Sequence, residues 1–166
     1  MLLHGVLLLG LVGAFSPQTD ANESNRSPDS CSITRPGAST FVPPPPYAPL
    51  APSRGRFWYG SEALWVMPSF DGLWHGLVTP HGVRNKVFWW SSEWDWHSEL
   101  QPELTVTALR LDGYAPSLQV FPATNAHNAA DIHHAMLVAL DIPTAGCWEL
   151  TGEYKGHTLS YVVWVP

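Results

Sequence analysis

The sequence predicts an all-β fold, an antiparallel β-sandwich of about seven to eight strands confined to residues 57–166. Three observations carry this. After Arg56, short runs rich in Val, Leu, Trp and Thr alternate with turn residues every 8–12 positions or so, the spacing of sandwich strands. No segment keeps a 3.6-residue apolar period long enough for a helix. Charged residues make up only 13% of the chain, while aromatics number nine Trp, six Phe and five Tyr. That composition supplies a core and is unlike that of a disordered chain.

Taken in order, residues 1–21 read as a secretory signal peptide. MLLHGVLLLGLVGAF is apolar apart from His4 and glycines, and it is shorter than the ~20 residues of a membrane-spanning helix. Thr19 and Ala21 offer a cleavage site before Asn22, with Ala14 as a second candidate, although no Lys or Arg precedes the apolar run. No stable transmembrane span is expected after processing, and the expected location is secreted or in the cell envelope. Residues 22–56 read as a Ser/Asn/Pro-rich linker, with glycosylation sequons at NES (22–24) and NRS (25–27) followed by FVPPPPYAPLAP. Pro43 through Pro46, Pro49 and Pro52 lack an N–H and hold φ fixed, which favours a polyproline spacer over helix or sheet interior.

In the domain itself, EALWVM (62–67) ends at Pro68, and LWHGLV (73–78) lies between Asp71-Gly72 and Pro80-His81-Gly82. KVFWW (86–90) is strongly β-forming. ELTVTALRL (103–111) sets Leu104, Val106 and Ala108 on one face against Thr105 and Thr107, and stops at Asp112-Gly113. SLQVF (117–121) ends at Pro122, and IHHAMLVALDI (132–142) ends at Pro143. CWELTGEY (147–154) and TLSYVVWV (158–165) flank a turn at Lys155-Gly156-His157. Alternation along this last hairpin turns Trp148, Leu150, Gly152 and Tyr154 inward and Cys147, Glu149, Thr151 and Glu153 outward. Leu159, Tyr161, Val163 and Val165 face the core from the final strand.

Removing the leader leaves two cysteines, Cys31 and Cys147, an even number for an oxidising compartment. A disulfide is the expectation, and a pair of free thiols is the alternative. Cys31 lies too far beyond the cleavage site to be a lipidated first residue. Because Cys147 faces outward, a bridge to Cys31 would pin the N-terminal arm across the outside of a sheet.

IPTAGCWELTG (142–152) followed by LSYVVWV (159–165) resembles the C-terminal hairpin of a family of exported bacterial proteins. That family's ending reads Pro-Thr-x-Gly-Cys-Trp-Glu-Val-Thr-Gly before a valine-rich strand. A Cys-x-[Ile/Val]-Thr-x-Pro from Cys31 to Pro36, the pair Trp89-Trp90, and Arg110-Leu111-Asp112 match it as well. The resemblance covers most of the chain after residue 31 and is most specific in the last 25 residues. It implies an immunoglobulin-like sandwich outside the cytoplasm and implies no activity. Between Ser91 and Pro102 the chain departs from the family, with SSEWDWHSEL replacing a shorter, less aromatic connection.

That departure holds the first candidate site. Trp89 and Trp90 are adjacent, so on a strand they face opposite ways, and one of them is expected in the core in the manner of a strand-C tryptophan. Trp94 and Trp96 alternate with Glu93 and Asp95. On an extended segment both indoles would project opposite two carboxylates, an arrangement that suits stacking on a sugar ring. The competing expectation is that the loop folds over the sandwich end and buries both rings, and the residues favour it. A second candidate is histidine. His127, His133 and His134 lie near Asp131 and are weak candidates for a metal, since neighbouring strand residues face opposite ways and at most one of His133 and His134 joins a given site. His75, His81 and His157 sit at expected turns and could gather at one end of the fold.

No GxSxG elbow, P-loop or dinucleotide fingerprint is present. Carboxylate pairs such as Glu93/Asp95 or Glu149/Glu153 would need a cleft holding them ~5–9 Å apart for glycosidase work. A net charge of −6 with scattered basic residues argues against nucleic acid. The sequence therefore favours a non-catalytic binding or envelope-associated module with no catalytic residues and no cofactor. Its partner would be a polysaccharide or another envelope component. A histidine-based envelope metal protein is the alternative, followed by a small hydrolase.

Overall fold

In a computed structural model of the protein, residues 29–38, 41–47, 55–129 and 133–166 are described, the side chains of 127–129 excepted. The leader expected at 1–21, Asp131 and parts of the linker lie outside the described residues. Among the described residues ten strands form: β1 (Tyr59–Ser61), β2 (Leu64–Val66), β3 (Leu77–Thr79), β4 (Gly82–Trp90), β5 (Thr105–Arg110), β6 (Gln119–Val120), β7 (Thr124–Ala129), β8 (His133–Ile142), β9 (Gly146–Tyr154) and β10 (His157–Val165). All their pairings are antiparallel. A larger sheet runs β1-β2-β4-β8-β6, with β3 beside β4 and β7 beside β8, and a smaller one runs β10-β9-β5.

The chain is thus a two-sheet β-sandwich. Its seven principal positions follow the order of an immunoglobulin constant-type domain, β2-β4-β8-β6/β7 over β5-β9-β10. The strand count exceeds seven to eight for local reasons. The stretch 62–67 is half of a hairpin that turns at Glu62-Ala63, so β1 and β2 replace one run. Pro122 interrupts one strand position and splits it into β6 and β7. The stretch 73–78 is mostly a crossing segment: Leu73 makes a parallel bridge to Trp164, and only β3 at its end joins β4.

Inward-facing Trp89, Met136, Val138, Leu140, Trp148, Leu150 and Tyr154 fill the space between the sheets. The six-membered edge of the Trp89 indole lies against Gly152, where an added Cβ would come within 2.4 Å of it. Trp89 therefore belongs to β4, a strand of the larger sheet, and not to the strand-C position, which β5 occupies without a tryptophan. Trp90 faces the other way and is equally buried. It belongs to a second, smaller core on the outer face of the large sheet with Trp65, Trp58, Met67, Ala135 and Tyr47, with Phe41 and Phe88 packed against it.

Phe41 and Tyr47 come from the segment read as a linker, and over its described residues that segment packs on the sandwich. Cys31 is bonded to Cys147 on the outer face of the small sheet, with Cα atoms 5.6 Å apart. Thr34 N–H then donates to Val162 O at 3.0 Å, and Val162 N–H donates to Thr34 Oγ1 at 2.8 Å. Further along the same edge of β10, Trp74 N–H donates to Trp164 O and Trp164 N–H to Gly72 O, both at 2.8 Å. The arm is a strap from one sheet's outer face to the other's, and it covers an edge strand that would otherwise expose unpaired backbone groups. Apolar side chains among the prolines explain the difference from a free spacer: Phe41 and Tyr47 gain more by covering Trp65 and Trp90 than the prolines gain from hydration.

The large sheet buries one carboxylate, Asp141, which pairs with a partly exposed arginine. Arg84 of β4 and Asp141 of β8 are register partners, and the guanidinium donates to both carboxylate oxygens at 2.7 and 2.8 Å. The Arg84 hydrogen bonds hold the Asp141 carboxyl below its ordinary pKa against the opposing effect of desolvation, with help from the Arg84 and His81 charges and Thr79. A carboxyl lowered in the folded state stabilises above its unfolded pKa, and that contribution disappears as pH falls through the folded value. Asp141→Asn is therefore expected to lower the urea midpoint most near neutrality. The gap to the parent should close below the ordinary carboxylate pKa of about 3.9. A gap that stays constant between pH 7 and pH 2 would remove the ionised pair from the account.

Candidate functional site

The tryptophan segment does not continue β4 as an extended strand. Ser91 ends the strand, with Trp94 N–H bonding back to Ser91 O and Glu93 N–H to Ser91 Oγ. Asp95 organises a second turn: its side chain accepts from the His97 N–H at 3.0 Å and from the Ser98 hydroxyl at 2.7 Å, and its carbonyl accepts from Glu99 N–H. Those bonds hold the Asp95 carboxyl below its ordinary pKa, the Ser98 bond most strongly. Alternation of Trp94 and Trp96 against Glu93 and Asp95 is therefore lost, because an Asx-type turn replaces the pleat.

Trp94 is 7% exposed, sits in the main core, and donates its Nε1–H to Glu99 O at 3.4 Å. Trp96 is half-buried against that core, with His134 stacked on it at 3.5 Å and His97 tilted against it at 3.4 Å between ring centroids. Glu93 is also engaged, with Oε1 2.8 Å from His157 Nε2 and its carbonyl accepting from Lys155 Nζ. Glu99, which the sequence reading passed over, accepts the Tyr154 hydroxyl at 2.6 Å and faces Lys155. Burial and the Glu99 contact together raise the Tyr154 pKa. These groups lock the 91–103 loop onto the β9–β10 turn, with Trp94 buried as the favoured reading had it and Trp96 partly buried.

His134 stacks on Trp96, while His133 is exposed at positive φ on the neighbouring position. His127 is the register partner of His134, and its side chain lies outside the described residues. His75 pairs with Asp71 at 2.8 Å and His157 with Glu93 at 2.8 Å. Among the described residues no group of three His, Cys, Asp or Glu side chains is placed to hold a metal ion.

What the fold does assemble is a groove where the strap passes the outer edge of β1. It encloses about 310 Å³ between Arg35, Phe41, Phe57, Trp58, Tyr59 and Leu159. Phe57 is buried and braced by Tyr59 and Phe70, with ring centroids 6.4 and 5.5 Å away. Trp58 stands edge-on to Trp90 at 5.2 Å, and Phe41 leans on Trp65 at 5.8 Å. The walls are thus fixed by the outer core, while Tyr59 and Phe41 remain partly exposed. Arg35 sits at the rim, with one guanidinium nitrogen bonded to Phe70 O at 3.2 Å. Sequence reasoning missed this site because it assigned everything through Arg56 to a linker. The signals were present in three consecutive aromatics, Phe57-Trp58-Tyr59, and in aromatic residues at both ends of the proline run.

No known protein family matches the chain, and no curated protein does. Among solved structures, a Bacillus anthracis protein provisionally described as a lipoprotein is similar at 14% identity and a TM-score of 0.39, over 93% of this chain and 98% of that one.

Proposed function

We propose that this chain is an exported, non-catalytic binding module whose ligand site is the groove between the strap and β1. The observation that carries the reading is an aromatic-walled concavity of about 310 Å³ whose rings are braced from behind, within the size and chemistry of small-ligand sites. The Cys31–Cys147 bridge and the apolar leader both support a secreted or envelope location. The carboxylates nearest to a catalytic pair, Glu93 and Asp95, are spent on turn and loop bonds, which supports the non-catalytic reading.

The test is a ligand-observed saturation-transfer NMR screen of small aromatic and aliphatic compounds against the oxidised protein. Tyr59→Ala and Phe41→Ala are expected to abolish the signal of every hit, with the disulfide and the β-sheet circular dichroism retained. Hits that persist in both variants would place binding elsewhere and sink the reading.

A further inference from the structure

We infer that the groove selects a small carboxylate carrying an apolar body the size of one ring and a short chain. This deepens the proposed binding role and rests on it. The first ground is charge. The protein carries −6 overall with fourteen Asp and Glu residues, yet none of the nine residues lining the groove is acidic and one, Arg35, is a cation. An anion entering there meets the one part of the wall whose charge opposes the sign of the whole molecule.

The second ground is geometry. A guanidinium presents five N–H donors in a planar fork suited to bidentate contact with a carboxylate. The bond from Arg35 Nη1 to Phe70 O anchors one of them and orients the rest. The Phe70 carbonyl thereby acts as the positioning group for the cation. The third ground is the body of the site. Phe41, Phe57, Trp58, Tyr59 and Leu159 supply apolar and aromatic surface. At about 310 Å³ the site is at the lower end of small-ligand pockets, which limits the apolar portion to a single ring or a short aliphatic chain. A neutral ligand of the same shape would use the walls and leave the guanidinium in water.

The experiment compares 4-phenylbutyrate with 4-phenylbutan-1-ol, which differ in the anionic group, by saturation-transfer NMR titration of the full oxidised protein at low salt. The acid is expected to bind about ten-fold more tightly, a difference of ~1.4 kcal/mol. The advantage should shrink in 0.5 M salt, because the cation is exposed. Arg35→Gln should bring the acid down to the affinity of the alcohol and leave the alcohol unchanged, and Arg35→Lys should restore part of the preference. Thermal melts of both variants check that the strap stays folded. Equal affinities of acid and alcohol in the parent would overturn the carboxylate inference and leave the groove as a binding site. A preference that survives Arg35→Gln would overturn it as well. Failure of both compounds, together with no Tyr59-dependent hit in the wider screen, would remove the binding site itself.

Discussion

Trp94→Ala is expected to cost about 3–5 kcal/mol of folding free energy, the range for truncating a buried aromatic. Trp94 lies in the central core, and its indole N–H reaches the Glu99 carbonyl, so the substitution leaves a cavity and an unpaired carbonyl on a turn. The same turn positions Glu99 for the Tyr154 hydroxyl, and loosening it strips a fully buried tyrosine of its partner. A loss of this size is a large share of the ~5–15 kcal/mol that holds a domain together. Trp96→Ala should cost clearly less, since Trp96 is half-buried at the margin of the core, against His134 and His97. Urea denaturation of the two variants in parallel checks the order. A Trp94→Ala protein with the parent's midpoint would mean that the loop does not close the sandwich end.

The difference between these two residues shows what the sequence could and could not reveal. Where strands stay extended in a sheet, alternation determines burial, and the inward faces of β5, β9 and β10 were legible in Leu104, Val106, Trp148, Leu150, Tyr154, Tyr161, Val163 and Val165. The two-residue step fails once a side chain captures the backbone. Asp95 does this at His97 and Ser98, which sends Trp94 into the core and leaves Trp96 at its margin. β4 was read as KVFWW, starting at Lys86. The strand begins at Gly82, and the Arg84 charge is balanced by Asp141, fifty-seven positions away in sequence. The groove was illegible for a related reason. Its walls come from residues 35–37, Phe41, residues 57–60 and Leu159, and proline composition alone cannot show that Phe41 and Tyr47 have a tryptophan face to cover.

Opening the Cys31–Cys147 bridge is the second large effect expected. The bridge closes a loop spanning 116 positions, and loop-closure entropy assigns such a link up to about 4–5 kcal/mol, less any strain. The cost here should not be purely a matter of the unfolded chain. Without the bridge, the strap is held at its start by the Thr34–Val162 hydrogen bonds and further on by the packing of Phe41 and Tyr47. If the strap detaches, the edge of β10 near Val162 is uncovered, and Trp65 and Trp90 lose the cover of Tyr47. The Cys31→Ala, Cys147→Ala double variant should therefore melt at a lower denaturant concentration and show red-shifted tryptophan emission before the main transition. It should also be cleaved by protease within residues 31–47 while residues 57–166 remain intact. Dithiothreitol should reproduce these changes in the parent and leave the double variant unaffected. Ligand binding separates the two roles of the bridge, because Arg35 and Phe41 ride on the strap while Phe57 and Tyr59 do not. A reduced protein that keeps its urea midpoint, its emission maximum and its protease resistance would show that strand pairing and aromatic packing hold the strap without the bridge.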